Sequence, residues 1–413
     1  MHRRLPWCYG SVISRSVRFP AAPTVSRLGR PCSARHMRTA PAAVGAALAA
    51  VDTPALIVQE DSLLENMEML QTVLKDSEVV IRPHVKTHKC PEIAALQLEQ
   101  PRTSGICCQK VSEAVAMADV AGDVLVSSQV VSPIKARRLA ALARRGCNVT
   151  AVADSSYAAR LLAEAARDEG TRIGILIDVN VGQERCGVES PEEAVTLAKD
   201  IQELQELSLR GIQAYQGKAQ HKRSWEERCQ AATDAAEKAR TVKDALESAG
   251  FECSQVSGGG TGTCEMDATS GVFTEVQPGS YIFNDVDYSK NLDRDGNPTQ
   301  LWKQSLFVAS TVISCNRDAR RLVLDAGLKA VAFDSGEPRI RGWPEALAQV
   351  ECGGDEHTVV KVSEGAALPA LGEQILLVPG HCDPTVNLHE YLLAVKGGTV
   401  NQVWAIAGRG PGL

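Results

Sequence analysis

The chain has 413 residues, 44% hydrophobic and 23% charged, with a formal net charge of −6. That length suggests two domains, or one large α/β domain with an appendage. The mild acidity argues against nucleic acid as the main partner, and no apolar run reaches the roughly 18 residues that would cross a membrane. The 13 cysteines are scattered with no CxxC pair, which fits a reducing compartment rather than a disulfide framework.

No Asp or Glu occurs before Asp52, while Arg3, Arg4, Arg15, Arg18, Arg27, Arg30, Arg35 and Arg38 are spread among Ser, Ala and Pro. An arginine-rich, acid-free start is the composition of an organelle transit peptide, with a disordered basic arm as the competing reading. It predicts a leader over residues 1–45 and a mitochondrial or chloroplast address, which the sequence does not separate. Pro41 to Ala50 is a small-residue linker.

Thr53 to Val58 reads as a strand, and Asp61 caps a helix to about Lys75 with Leu64, Met67 and Leu70 on one side. Val79 and Val80 then begin a strand that carries Arg82-Pro83-His84-Val85-Lys86-Thr87-His88-Lys89. Strand alternation would place Arg82, His84, Lys86 and His88 on one face. Neighbouring cations there should lower the Lys86 pKa and free its amine as a nucleophile. An edge strand with exposed basic residues is the alternative.

Downstream, strands at 105–109, 124–129, 149–153, 173–179, 209–215, around 256 and at 272–276 alternate with helices, several opened by Ser-Pro or closed by Gly. From Val79 to Phe283 there are eight strand-like segments, most followed by a helix. Repeated β-then-α units with apolar strands mean a parallel sheet, and eight of them suggest a closed (β/α)₈ barrel over residues 46–303. An open doubly wound sheet would call for an early GxGxxG, and there is none. After about Leu301 long helical periodicity is missing, which predicts a mostly β domain over 304–413.

Barrel catalytic groups sit at the C-terminal ends of strands, with phosphate held after strands seven and eight. The first barrel strand delivers Lys86 there. Ser257-Gly258-Gly259-Gly260-Thr261-Gly262-Thr263 follows the seventh, and Gln277-Pro278-Gly279-Ser280-Tyr281 the eighth. Glycine runs let backbone N–H groups cradle a phosphate, with Thr and Ser hydroxyls adding donors. A Schiff-base lysine opposite a phosphate nest fits pyridoxal 5′-phosphate.

These loops, the Lys86 octet and Asp178-Val179-Asn180-Val181-Gly182-Gln183-Glu184-Arg185-Cys186-Gly187 resemble the alanine-racemase-type barrels of the pyridoxal-phosphate enzymes, most closely the subgroup of D-threonine aldolases and eukaryotic-type D-serine dehydratases. The resemblance runs from about Thr53 to the C-terminus. It implies Lys86 as the Schiff-base lysine, Arg185 near the cofactor's phenolic oxygen and Tyr215 beside its ring. It also implies a phosphate site at Gly260, Thr261, Gly279, Ser280 and Tyr281, and a homodimer.

In the β domain, Pro379-Gly380-His381-Cys382-Asp383-Pro384 follows a strand. If extended, His381 and Asp383 point one way and Cys382 the other, giving a two-residue site for Mn²⁺, Mg²⁺ or Co²⁺ completed by water or substrate oxygen. Within the subgroup, dehydratases resemble H-x-C and aldolases H-x-D, so Asp383 makes the chain similar to the aldolases. That implies retro-aldol cleavage of D-threonine and related D-β-hydroxy-α-amino acids to glycine and an aldehyde. The base is then a metal-bound water or His221 of Gln220-His221. The alternatives are D-serine dehydration and, more remotely, a pyridoxal-phosphate carrier, which would not need the metal-like motif.

Overall fold

The computed structural model describes residues 39–412; most of the expected leader, residues 1–38, falls outside them. The chain opens with strand β1 (Ala55–Gln59) and helix α1 (Glu60–Val73). Eight strands follow: β2 (Val80–Ile81), β3 (Ile106–Cys108), β4 (Asp123–Val126), β5 (Asn148–Ala153), β6 (Ile173–Asp178), β7 (Leu207–Ala214), β8 (Gln255–Gly258) and β9 (Glu275–Val276). Between them lie α2 (Pro91–Leu98), α3 (Val111–Met117), α4 (Pro133–Arg144), α5 (Ser156–Asp168), α6 (Pro191–Gln202), α7 (Trp225–Ser248) and α8 (Cys264–Ala268). The helix starts follow their local chemistry. Ser155, Ser190 and Ser224 each accept a backbone N–H from three residues on, and Pro133 and Pro191 occupy first-turn positions that need no N–H.

All eight strands are parallel, in the order β2-β9-β8-β7-β6-β5-β4-β3. Bridges from Ile81 to Thr103 and from His84 to Cys107 join β2 to the approach and start of β3, closing the expected barrel. Alternation decides what faces where. Ile106 and Cys108 pack outward under the helices, while Cys107 joins Leu125, Val152 and Leu176 in an inner cluster. The remaining interior is polar: Gln277 donates to Gln213 and Ser257, both at 2.7 Å. Arg82 reaches Glu275 at 2.7 Å and Asp123 at 2.5 Å.

A second, nine-stranded sheet contains β10 (Leu306–Asn316), β11 (Arg321–Leu324), β12 (Arg339–Ile340), β13 (Ala348–Cys352), β14 (Thr358–Val362), β15 (Gln374–Val378), β16 (Tyr391–Lys396) and β17 (Thr399–Ala405). Its ninth strand is β1, antiparallel to β10 and parallel to β16. The barrel expected over 46–303 thus gives up its first strand to the second sheet. The burial explains it: Leu56 and Val58 enter one core cluster, Ala55 and Ile57 another, so β1 is buried on both faces as a central strand. Between β15 and β16 sits a short helix, α9 (Cys382–Leu388), so the condition of an extended path, on which His381 and Asp383 would point one way, is not met.

The segment after β9 straps the two parts together. Val286 N–H donates to Pro379 O at 3.1 Å and Asp287 N–H to Gly380 O at 3.2 Å.

Candidate active site

The octet that carries Lys86 begins just past the end of its strand. β2 ends at Ile81, and Val85–Thr87 forms a single 3₁₀ turn. The His84 imidazole accepts the Lys86 backbone N–H at 3.4 Å, a local bond that competes with extension. The expected shared face is therefore not formed. Arg82 lies in the barrel interior with Glu275 and Asp123. His84 Nε2 lies 3.2 Å from Ser127 Oγ. His88 is fully buried, with Nε2 3.1 Å from Gln97 Oε1 and Nδ1 accepting Cys90 N–H.

The expected electrostatics are reversed as well. Burial, helped by the Lys86 charge, pushes His84 down to about 3, and burial pushes His88 down to about 4, so both are neutral. Lys86 Nζ instead meets Asp383 Oδ2 at 2.7 Å. That carboxylate raises the lysine above its ordinary value against the opposing effect of burial. Burial favours the neutral form of Asp383, but the Lys86 and His381 charges outweigh it and hold the carboxyl at about 2.

Lys86 opens into a cavity of about 320 Å³ at the C-terminal ends of the strands, lined by Arg185, Tyr215, Lys218 and His221 among others. A larger cavity, about 440 Å³, lies under Thr261, Trp225 and Trp302, but none of Lys86, Arg185, Tyr215 or His221 lines it. The chemistry selects the smaller one. His221 reaches it from the short helical turn Lys218–His221 after β7, with Nδ1 2.5 Å from Asp287 Oδ2 and its ring 5.3 Å from that of Tyr288.

Of the two glycine loops only Gln277 lines that cavity; their glycines pack against its supports. A Cβ at Gly279 would meet Thr87 Oγ1 at 2.8 Å, and one at Gly260 would meet Gln220 Oε1 at 2.5 Å, so backbone comes close where side chains have no room. Thr261 Oγ1 accepts Tyr281 N–H at 3.0 Å, joining the loops after β8 and β9, with Ser280 buried beside them. The Tyr281 ring is buried edge-on to Trp302 and its hydroxyl accepts from Gln97, so this side chain braces the loop from behind.

The metal motif reaches the site by another route than alternation. His381 is the extended residue before α9, and Asp383 lies in its first turn. Cys382 is fully buried between them, its N–H donating to Asp285 Oδ2 at 2.8 Å. His381 Nδ1 lies 2.7 Å from Asp334 Oδ2. Burial would lower its imidazole, but Asp383 and Asp334 outweigh that and raise it. Asp383 Oδ1 is buried with no hydrogen-bond partner. Among the described residues no cluster of three or more metal-binding side chains occurs.

The sequence reading missed Asp285, Asp287 and Asp334. Asp285 and Asp287 had a local signal, two carboxylates two apart directly after the second glycine loop; Asp334 had none.

The family model "Alanine racemase, N-terminal domain" matches residues 58–286, and a serine dehydratase domain model matches 305–395. The chain is 41% identical to D-threonine aldolase of Arthrobacter sp. over 372 residues, 90% of this chain and 96% of that one. The chain belongs to the D-threonine aldolase group of alanine-racemase-type enzymes. Within this group it is 38% identical over 375 residues to 3-hydroxy-D-aspartate aldolase of Paracoccus denitrificans, covering 90% of this chain and 96% of that one. The crystal structure of D-threonine aldolase from Filomicrobium marinum superposes with a TM-score of 0.85 at 39% identity, covering 90% of this chain and 99% of that one. These relatives are carbon–carbon lyases, and the chain is an enzyme of that class, of the pyridoxal-phosphate type.

Proposed function

We propose that the protein is a D-threonine aldolase that uses pyridoxal 5′-phosphate and a divalent metal, cleaving D-threonine and other D-β-hydroxy-α-amino acids to glycine and an aldehyde. The observation that carries this reading is the 2.7 Å contact between Lys86 and Asp383, which brings the barrel's lysine and the β domain's metal motif to one place.

The residues fit the cofactor. A partly exposed lysine opens on a cavity with Arg185 and Tyr215, beside two loops whose glycines leave room only for backbone. Lys86 Nζ would hold the aldehyde carbon, Arg185 the phenolic oxygen, Tyr215 the ring face, and the backbone of Gly260, Thr261, Gly279 and Ser280 the phosphate. The bound cofactor supplies an electron sink for the pair released when the Cα–Cβ bond breaks.

The residues also fit a hard divalent ion such as Mn²⁺ or Mg²⁺. Asp383 Oδ1 is a buried carboxylate oxygen without a partner, and Asp334 occupies His381 Nδ1, leaving Nε2 as the free ligand atom. His381 and Asp383 would hold such an ion, which would supply a Lewis acid for an alcohol oxygen there. His221 is the base: Nε2 takes the β-hydroxyl proton as the aldehyde leaves. The same proton can return to the substrate carbon that becomes glycine.

The test is a product assay with D-threonine and D-serine, with and without a chelator. Chelator-sensitive release of glycine and acetaldehyde from D-threonine supports the reading. Pyruvate from D-serine with no cleavage of D-threonine would replace it with the dehydratase.

A further inference from the structure

Asp287 belongs to neither the cofactor loops nor the metal motif, yet it touches the proposed base. Its Oδ2 lies 2.5 Å from His221 Nδ1, and Arg223 donates to its Oδ1 and, at 2.8 Å, to its backbone carbonyl. The residue is 7% exposed, whereas the His221 side chain is half exposed and faces the cavity. Two residues earlier, Asp285 accepts the Cys382 N–H at the start of α9. One turn of chain therefore holds both the base and the loop that carries His381 and Asp383.

We infer that Asp287 is a positioning residue that fixes His221 as the Nδ1–H tautomer, with Nε2 open to the cavity. A carboxylate only accepts hydrogen bonds, so an ionised Asp287 leaves the proton on Nδ1. Burial favours its neutral form, but hydrogen bonds from His221 and Arg223 outweigh that and hold the carboxyl at about 2, ionised at any working pH. When Nε2 takes up the β-hydroxyl proton, Asp287 provides the counter-charge to the resulting cation, and Arg223 keeps the carboxylate in place. The bond from Asp287 N–H to Gly380 O ties the position of the base to the residue preceding His381. The Tyr288 ring beside the imidazole restricts its rotation. The charged groups around His221 are thus Asp287 and Arg223 behind it and Lys86, Arg185 and Lys218 across the cavity.

This inference rests on the aldolase reading for its kinetic arm only; its structural arm stands alone. In ¹⁵N-histidine-labelled wild-type protein, the His221 signal, assigned by its loss in His221→Gln, should show a protonated Nδ1 and a bare Nε2. Asp287→Asn keeps an oxygen for Arg223 but turns an amide N–H₂ toward Nδ1, which moves the ring proton to Nε2. The expected result is the opposite tautomer. With D-threonine, kcat should fall by about 10²-fold or more, the usual scale of a general base, while KM stays within about threefold. Asp287→Glu should restore the wild-type tautomer and part of kcat. An Nε2–H tautomer in the wild type overturns the inference even if no variant folds. A kcat for Asp287→Asn within about threefold of wild type overturns it as well. Failure of the wild type to cleave any D-β-hydroxy-α-amino acid would instead overturn the aldolase reading and leave the tautomer measurement to decide this one.

Discussion

The Lys86–Asp383 contact makes a quantitative prediction for the cofactor-free protein. Asp383→Asn keeps shape and removes the charge. The native Asp383 carboxyl sits at about 2, below its ordinary 3.8, and its side chain is 17% exposed. A group whose folded pKa is depressed stabilises the fold above its unfolded pKa and loses that contribution as pH falls through the folded value. A difference of nearly two pKa units corresponds to about 2 kcal/mol at pH 7, falling to roughly half of that at pH 3. Coulomb's law gives a consistent scale, from about 1.5 kcal/mol in water to about 6 kcal/mol at an effective dielectric constant near 20, with the part-exposed lysine drawing it toward the lower figure. Urea unfolding of the stripped wild type and Asp383→Asn at both pH values measures it. Equal midpoints at pH 7, or a gap that widens toward pH 3, would refute a net favourable ion pair here.

Lys86→Ala should abolish cleavage and leave no cofactor covalently trapped after borohydride reduction, since Lys218, the other lysine lining the cavity, is held by Glu184 at 2.6 Å; retained label would point to a different anchor. Asp383→Cys should trade Mn²⁺ or Mg²⁺ stimulation for retention of zinc, because thiolate softens the site. Cys382→Ser should leave metal dependence as it is, because its side chain is fully buried in the apolar core; titration of the purified variants with each ion reads both. Deleting residues 1–38 should leave activity intact, since an arginine-rich, acid-free leader has little apolar surface to dock. Extending the deletion through Leu48 removes the bonds from Gly45 N–H to Val400 O and Leu48 N–H to Gly398 O, with the packing of Ala42, Ala46 and Leu48, and should lower the melting temperature by several degrees.

The barrel was legible because its signals are local and repeated: apolar strands, serine caps, and glycine after helices. Lys86 and the glycine loops could be placed because strand order fixes which loops share a face. What could not be read was anything set by distant partners. The apolar run at β1 announces a strand buried on both sides, but not which sheet takes it, because its partners Val308 and Leu392 lie far along the chain. The charge state of Lys86 was misjudged since its controlling neighbour, Asp383, is 297 positions away. The turn at α9 did have a signal, Asp383-Pro384 in a helical first turn, that outweighs the extended reading of His381-Cys382-Asp383. Asp334 beside His381 had no counterpart in sequence.

The placement of β1 also bears on how the chain is made. A central strand of the second sheet is synthesised first, and its neighbour β10 begins at Leu306. At roughly 5–20 residues per second, the ribosome needs on the order of 10–50 s to cover that gap. For that interval Leu56, Ile57 and Val58 have neither flanking strand to pair with, while the barrel strands, each paired with a near neighbour in sequence, can begin to assemble. Newly made chains are therefore most exposed to aggregation at this one strand, and a nascent-chain chaperone would find its binding site at the very start of the folded region.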